Sequence, residues 1–172
     1  MQHEFSMLTS QCHIRDVRLS DDEQILAAMS CPKVAAMYSG GFQNEADVQR
    51  YIDVLLKEYE SGTFRTLAVA ERQSDRLIGC ITIDTHKHFP RAELSYWLAQ
   101  NFRNRGYMTE AITAVIQYGF SDLELRRIQA YYSVDNPASG RVLEKTGMVH
   151  EGTLRLYNGI SDAEMYAVIH TD

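Results

Sequence analysis

Hydrophobic positions along the chain change their spacing several times, and each change marks an element. In NEADVQRYIDVLLKEYESG, Val48, Ile52, Leu55, Leu56 and Tyr59 recur on one helical face, with Gly62 just past the end. Earlier, SDDEQILAAMS opens like a helix, with Ser20 as N-cap, Glu23 as its capping-box partner and an acidic first turn. Ahead of it, CHIRDVRL alternates in part and predicts a first strand. From Thr66 the period shortens: strands centred on Leu67–Ala70 and Leu77–Ile83 flank a polar turn, and RAELSYWLAQ forms a third after Pro90.

The second half alternates between the two periods. NFRNRGYMTEAI leads into a helix running through Phe120, with Met108, Ile112, Val115, Ile116 and Phe120 on its apolar side. RRIQAYYSV alternates Ile128, Ala130, Tyr132 and Val134 as a strand. NPASGRVLEKTG then has firm helix boundaries: Asn136 as N-cap, Pro137 at the first position and Gly147 after the last turn. Two closing strands surround a Tyr157–Asp162 turn. The order β, α, α, three strands, α, β, α and a hairpin predicts an α/β fold with one central mixed sheet and helices on both faces. The strand-helix-strand unit from Glu93 to Val134 should be parallel.

Composition narrows the function classes. With 172 residues, 45% hydrophobic and 23% charged, the chain suits one packed core, so residues 1–172 are expected to form a single domain. Its net charge of −6 offers no basic field for nucleic acid or an anionic membrane and favours cationic partners. Three cysteines, Cys12, Cys31 and Cys80, lack ligand or disulfide spacing, so no metal site is expected. The N-terminal MQHEFSMLTS has no basic-then-apolar signal pattern, and no run reaches ~18 apolar residues. A cytoplasmic protein is the expectation.

Chemistry concentrates at RNRGYMTEA. A helix N-terminus leaves free N–H groups and the positive end of a dipole, and a small-residue loop ahead of it can wrap them around a phosphate. Gly106 lets the backbone approach closely, and Arg103 and Arg105 supply charge. Neither GxxxxGK[ST] nor GxGxxG is present, so the reading from residues alone is an anion cradle.

Two longer stretches, AELSYWLAQNFRNRGYMTEAITAVIQYGF and LRRIQAYYSVDNPASGRVLEKTGMVHEGTLR, make the chain resemble the GNAT superfamily of N-acetyltransferases. The nearer branch resembles RimJ and RimL, which acetylate protein N-termini. The superfamily's phosphate motif, Q/R-x-x-G-x-G/A, falls on Arg103, Asn104, Arg105, Gly106, Tyr107 and Met108, with Met at the last position instead of Gly or Ala. TEA at Thr109–Ala111 and the NPASGRVLEKTGM run at Asn136–Met148 also match.

The resemblance implies a GNAT-like sheet and acetyl-CoA as cosubstrate. The pyrophosphate would sit on the N–H groups from Arg105 to Thr109, and the pantetheine arm would lie beside Trp97, Leu98 and Ala99, in a split between that strand and the one ending at Val134. Asn136 would bond the pantetheine amides, while Arg141 and Lys145, four apart on one helical face, would reach the 3′-phosphate.

For the chemistry, Glu93 is the implied base, with His86 and His88 as alternatives of better-placed ordinary pKa. The oxyanion donor is a backbone N–H near Leu98, where the family's strand carries a bulge. The family's usual helix tyrosine is missing between Pro137 and Thr146, so Ser139 is the candidate acid, with Tyr132 in reserve and capping as the plain alternative role for Ser139.

The Tyr38–Phe42 loop is the expected acceptor-site wall. The acceptor implied is a protein N-terminal α-amine. A small amine such as a polyamine or an aminoglycoside-like compound is the alternative, and a non-catalytic acyl-CoA-sensing module is an alternative of a different class. The terminal strands and the LYNGISDAEMY hairpin offer edges through which two copies could pair as a homodimer.

Overall fold

A computed structural model of the chain describes residues 4–29, 31–36, 42–58 and 63–171. Its eight strands are β1 (Ser6–Leu8), β2 (Cys12–Asp16), β3 (Phe64–Glu71), β4 (Leu77–Thr85), β5 (Arg91–Leu98), β6 (Arg127–Ser133), β7 (Val149–Leu154) and β8 (Ala163–Ile169). They form one sheet in the order β1-β2-β3-β4-β5-β6-β8-β7. Only β5 and β6 run parallel; every other neighbouring pair is antiparallel. The helices are α1 (Asp22–Ala28), α2 (Pro32–Ala35), α3 (Glu45–Glu58), α4 (Tyr107–Ser121) and α5 (Pro137–Lys145).

Strand alternation sends side chains to two separate cores. One lies between the sheet and α4 and α5, joining Ile14, Ile81, Leu94 and Ile128 to Met108, Ile112, Val115 and Leu143. The other holds α1, α2 and α3 against the opposite face through Ile25, Val34, Val48, Ile52 and Trp97. The helix periodicities predicted for α3 and α4 appear as buried Val48, Ile52 and Leu55, and as buried Met108, Ile112, Val115 and Ile116. Phe120 packs half-buried at the edge of its core. Tyr59 and Gly62 lie outside the described residues.

Several boundaries differ from those expected. Ser20 is not an N-cap: it sits inside a 3-10 turn, Leu19–Asp21, and the Asp21 carboxylate accepts the Arg18 N–H at 2.8 Å. The first strand stops at Asp16, and β1 and α2, of three and four residues, are additional elements. Val134 lies beyond β6 and is 44% exposed, because its N–H turns to the Asp162 carbonyl at the hairpin base. At the end of α5, Met148 N–H bonds Leu143 C=O and Gly147 N–H bonds Glu144 C=O, and Gly147 takes φ +84. That is a Schellman closure, and the positive φ accounts for a glycine there.

Candidate active site

β5 and β6 pair over three positions only: Arg91↔Arg127, Ala92↔Ile128 and Glu93↔Gln129. β5 continues to Leu98 and β6 to Ser133, so the two part company after Glu93. On its other side β5 stays zipped to β4 from Thr85↔Ala92 to Gly79↔Leu98 with no register shift. The bulge expected near Leu98 is therefore absent; β5 is regular, and the opening comes from β6 leaving it. Since Ala99 N–H reaches back to the Ile78 carbonyl at 2.8 Å, alternation turns the backbone of Leu98 the other way, into the opening. Its carbonyl there accepts Arg103 Nε at 3.0 Å.

A cavity of about 420 Å³ occupies this split. It gathers residues from β5 (Tyr96, Trp97, Leu98), from the loop and first turn of α4 (Arg103, Asn104, Gly106 to Thr109) and from α5 with its N-cap (Asn136, Ser139, Arg141, Lys145). Of the cofactor-binding residues expected from sequence, Ala99 and Arg105 do not line it. Arg105 is exposed, its guanidinium 6.0 Å from the Phe102 ring centroid.

The cavity's charge is one-sided. The first intrahelical bond of α4 is Glu110 N–H to Gly106 C=O at 3.0 Å, so the N–H groups of Tyr107, Met108 and Thr109 precede the helix ladder. Gly106 enters the helix at φ +87, a conformation that L side chains rarely adopt. Among the described residues, none of Arg103, Arg105, Arg141 and Lys145 forms an ion pair with a carboxylate. Three cations that line the cavity without a carboxylate partner, Arg103, Arg141 and Lys145, together with a helix N-terminus fit a polyanion of several phosphates.

Met108 does not obstruct this cradle, because its side chain is buried in the core beneath α4 at 4% exposure. The neighbouring Glu110 faces the N-terminal hairpin: it accepts Gln11 N–H at 2.7 Å and Gln11 Nε2 at 2.9 Å. Burial alone would raise its pKa, but hydrogen bonds from Thr9 and Gln11 outweigh that and hold it below the ordinary glutamate range.

Asn136 precedes Pro137 as the N-cap of α5 but makes no side-chain capping bond, leaving its amide toward the cavity. Ser139, in the first turn, meets a partner that the linear pattern did not reveal. Tyr96 Oη lies 2.6 Å from Ser139 Oγ and 3.1 Å from the Ser139 carbonyl. Burial pushes the Tyr96 phenol up to about 12 despite that hydrogen bond, so it stays a neutral donor. Tyr132, the reserve acid, packs against Gly140, where an added Cβ would come within 2.5 Å of its hydroxyl.

Glu93 lies on the other face of β5 from Tyr96 and Leu98 and does not line the cavity. It is half-buried at the point where β5 and β6 separate, and Gln129 Nε2 donates to its Oε2 at 3.0 Å. His86 and His88 are exposed in the β4–β5 turn, outside the cavity. Residues 38–41 of the expected acceptor wall lie outside the described residues. Among the described residues, no group of three or more His, Cys, Asp or Glu is placed to hold a metal ion, and no helix is long and apolar enough to cross a membrane.

Comparison with known proteins gives the same outline. Residues 12–149 match the acetyltransferase (GNAT) domain family. The chain is 32% identical to the uncharacterized N-acetyltransferase YoaA of Bacillus subtilis (strain 168), over 94% of each protein. It is 28% identical to the ribosomal-protein-serine acetyltransferase of Escherichia coli (strain K12), over 74% of this chain and 73% of that one. The microcin C7 self immunity acetyltransferase MccE, solved with acetyl-CoA and AMP, shares the fold with a TM-score of 0.81 at 23% identity, over 94% of both chains.

Proposed function

The chain belongs to the GNAT acetyltransferase family and is an acetyl-CoA-dependent N-acetyltransferase, and we propose that its acceptor is a protein N-terminal α-amine, with residues 1–172 acting as one catalytic domain. The observation that carries the site assignment is the set of three cavity cations without a carboxylate partner, Arg103, Arg141 and Lys145, beside the α4 N-terminus, in a chain whose net charge is −6. The α-amine reading is supported by the similarity to the ribosomal-protein-serine enzyme.

Bound there, acetyl-CoA supplies an activated thioester. The N–H groups from Arg105 to Thr109 hold its pyrophosphate, Arg141 and Lys145 meet the 3′-phosphate, and Asn136 bonds the pantetheine amides. The open edge of β5 at Trp97–Ala99 guides that arm toward the split. Glu93, across the sheet from the cavity, takes the proton of the attacking amine directly or through a water. Leu98 N–H donates to the carbonyl oxygen as it gains charge. Ser139 donates a hydrogen bond to the departing sulfur, its oxygen supported by the Tyr96 hydroxyl.

A small polyamine is the second reading, favoured by Asp84 standing directly across from Glu93. The test is an acetyl-transfer screen over serine-initiated peptides, lysine peptides, spermidine and aminoglycosides, with Glu93→Gln as control. Fastest turnover of the peptide α-amine, with the acid limb of the rate lost in Glu93→Gln, is the expected result. Preference for spermidine would replace the acceptor, and an unchanged pH profile in Glu93→Gln would remove the base.

A further inference from the structure

Glu93 is the last β5 residue paired with β6, and its carboxylate is held by a chain of side chains from two further strands. Gln129 Nε2 donates to Glu93 Oε2 at 3.0 Å. Gln129 Oε1 in turn accepts Arg127 Nε at 3.1 Å. Both terminal nitrogens of Arg127 reach Glu151 on β7, at 2.8 Å to Oε1 and 2.5 Å to Oε2. The chemistry at each end removes the usual ambiguity of a glutamine amide. A guanidinium has only donors, so it must meet the amide oxygen; an ionised carboxylate has only acceptors, so it must meet the amide nitrogen.

We propose that Gln129 is a positioning residue for acetyl transfer, holding one oxygen of Glu93 so that the other is presented to the amine, and that Arg127, clamped by Glu151, fixes which end of the Gln129 amide Glu93 meets. The inference rests on Glu93 being the base. With Oε2 engaged, the carboxylate cannot swing freely between rotamers, and its remaining oxygen has a defined direction at the mouth of the split. Among the described residues, the other charged or titratable groups facing Glu93 are Asp84, its cross-strand neighbour on β4, Arg91 two residues earlier on its own strand, and Tyr131 on β6. Tyr131 is pushed up to about 12 by burial first, then by Tyr157 and by the charge of Glu93, which places its hydroxyl in the same environment.

The test compares wild type, Gln129→Leu, Gln129→Asn, Arg127→Leu, the Gln129→Leu/Arg127→Leu double variant and Glu93→Gln. The acceptor is whichever of a serine-initiated peptide and spermidine turns over faster. Gln129→Leu should lower kcat on the order of tenfold with KM for acetyl-CoA unchanged. Arg127→Leu should lower kcat in the same way, and the double variant should be no slower than Gln129→Leu, because the two act in series. Gln129→Asn, which keeps the amide but shortens its reach, should fall between and serves if Gln129→Leu does not fold. A wild-type kcat in the Gln129 variants, with the acid limb lost in Glu93→Gln, overturns the positioning role and leaves the base standing. An unchanged profile in Glu93→Gln, or no turnover of either acceptor by wild type, overturns both.

Discussion

Ser139 and Tyr96 show how one hydroxyl can be read only with its partner. Tyr96 has a single proton and two oxygens of Ser139 within reach, at 2.6 and 3.1 Å. If it donates to the carbonyl, the Ser139 hydroxyl donates to Tyr96 and is turned away from a sulfur in the cavity. If it donates to Oγ, the Ser139 proton is free to point there. Tyr96, pushed up to about 12, remains protonated throughout the neutral range and favours neither limb of a pH profile below pH ~10. Tyr96→Phe should therefore slow acyl transfer on the order of tenfold with acetyl-CoA affinity unchanged and the profile's shape preserved, measured by pre-steady-state kinetics beside calorimetry. Equal losses in binding and rate would make the pair a packing contact. The helix and loop motifs pointed to Ser139 and Arg103, which the structure brings to the cavity, and to Arg105, which it does not. The contacts of Tyr96 and Gln129 were not legible, because their partners lie 43 and 36 residues away, one on helix α5 and the other on the neighbouring strand β5, and meet them only in three dimensions.

Among the elements, β5 forms one wall of the cavity, and its shape depends on a residue of β4. Gly79 sits opposite Leu98, and a Cβ there would lie 2.4 Å from the Trp97 carbonyl oxygen, a backbone atom that cannot rotate aside. Gly79→Ala should push the end of β5 into the split and displace Leu98, which lines the cavity there. The expected outcome is a loss of about 1–3 kcal/mol in urea unfolding and a larger relative drop in kcat/KM. Full activity with lost stability alone would show that the edge geometry is tolerant. The long elements were legible because Val48, Ile52 and Leu55, or Met108, Ile112 and Val115, span two helical turns or more. β1 and α2, at three and four residues, are too short to display a period and are specified by pairing and packing. The parallel pairing of β5 with β6 followed from element order, whereas their separation after three pairs is a tertiary property that no local pattern encodes.

Across the whole molecule, two cores on opposite faces of one sheet must keep their register while its middle stands open, and a buried arginine near the sheet edge helps fix that register. Arg15, 2% exposed, uses all five of its N–H groups. Two meet the Asp21 carboxylate at 2.8 and 2.9 Å, one meets Asp75 Oδ1 at 3.0 Å, and the carbonyls of Asp16 and Asp75 take one each at 3.0 Å. These contacts join β2, the turn before α1 and the β3–β4 turn in one fully satisfied network. Burial alone would lower the arginine's pKa, but Asp21 and Asp75 more than reverse that, so the group remains charged. Asp21→Ala strands two donors of a buried cation and should cost about 3–5 kcal/mol in urea unfolding. Arg15→Met/Asp21→Leu removes cation and carboxylate together, and should recover most of that loss because neither buried charge is left without its partner. Both variants should keep the acetyl-CoA affinity of the folded protein, since neither residue lines the cavity. A double variant as unstable as Asp21→Ala would instead mean that the network's value lies in the specific geometry of its five hydrogen bonds, through which Arg15 ties two turns to one strand.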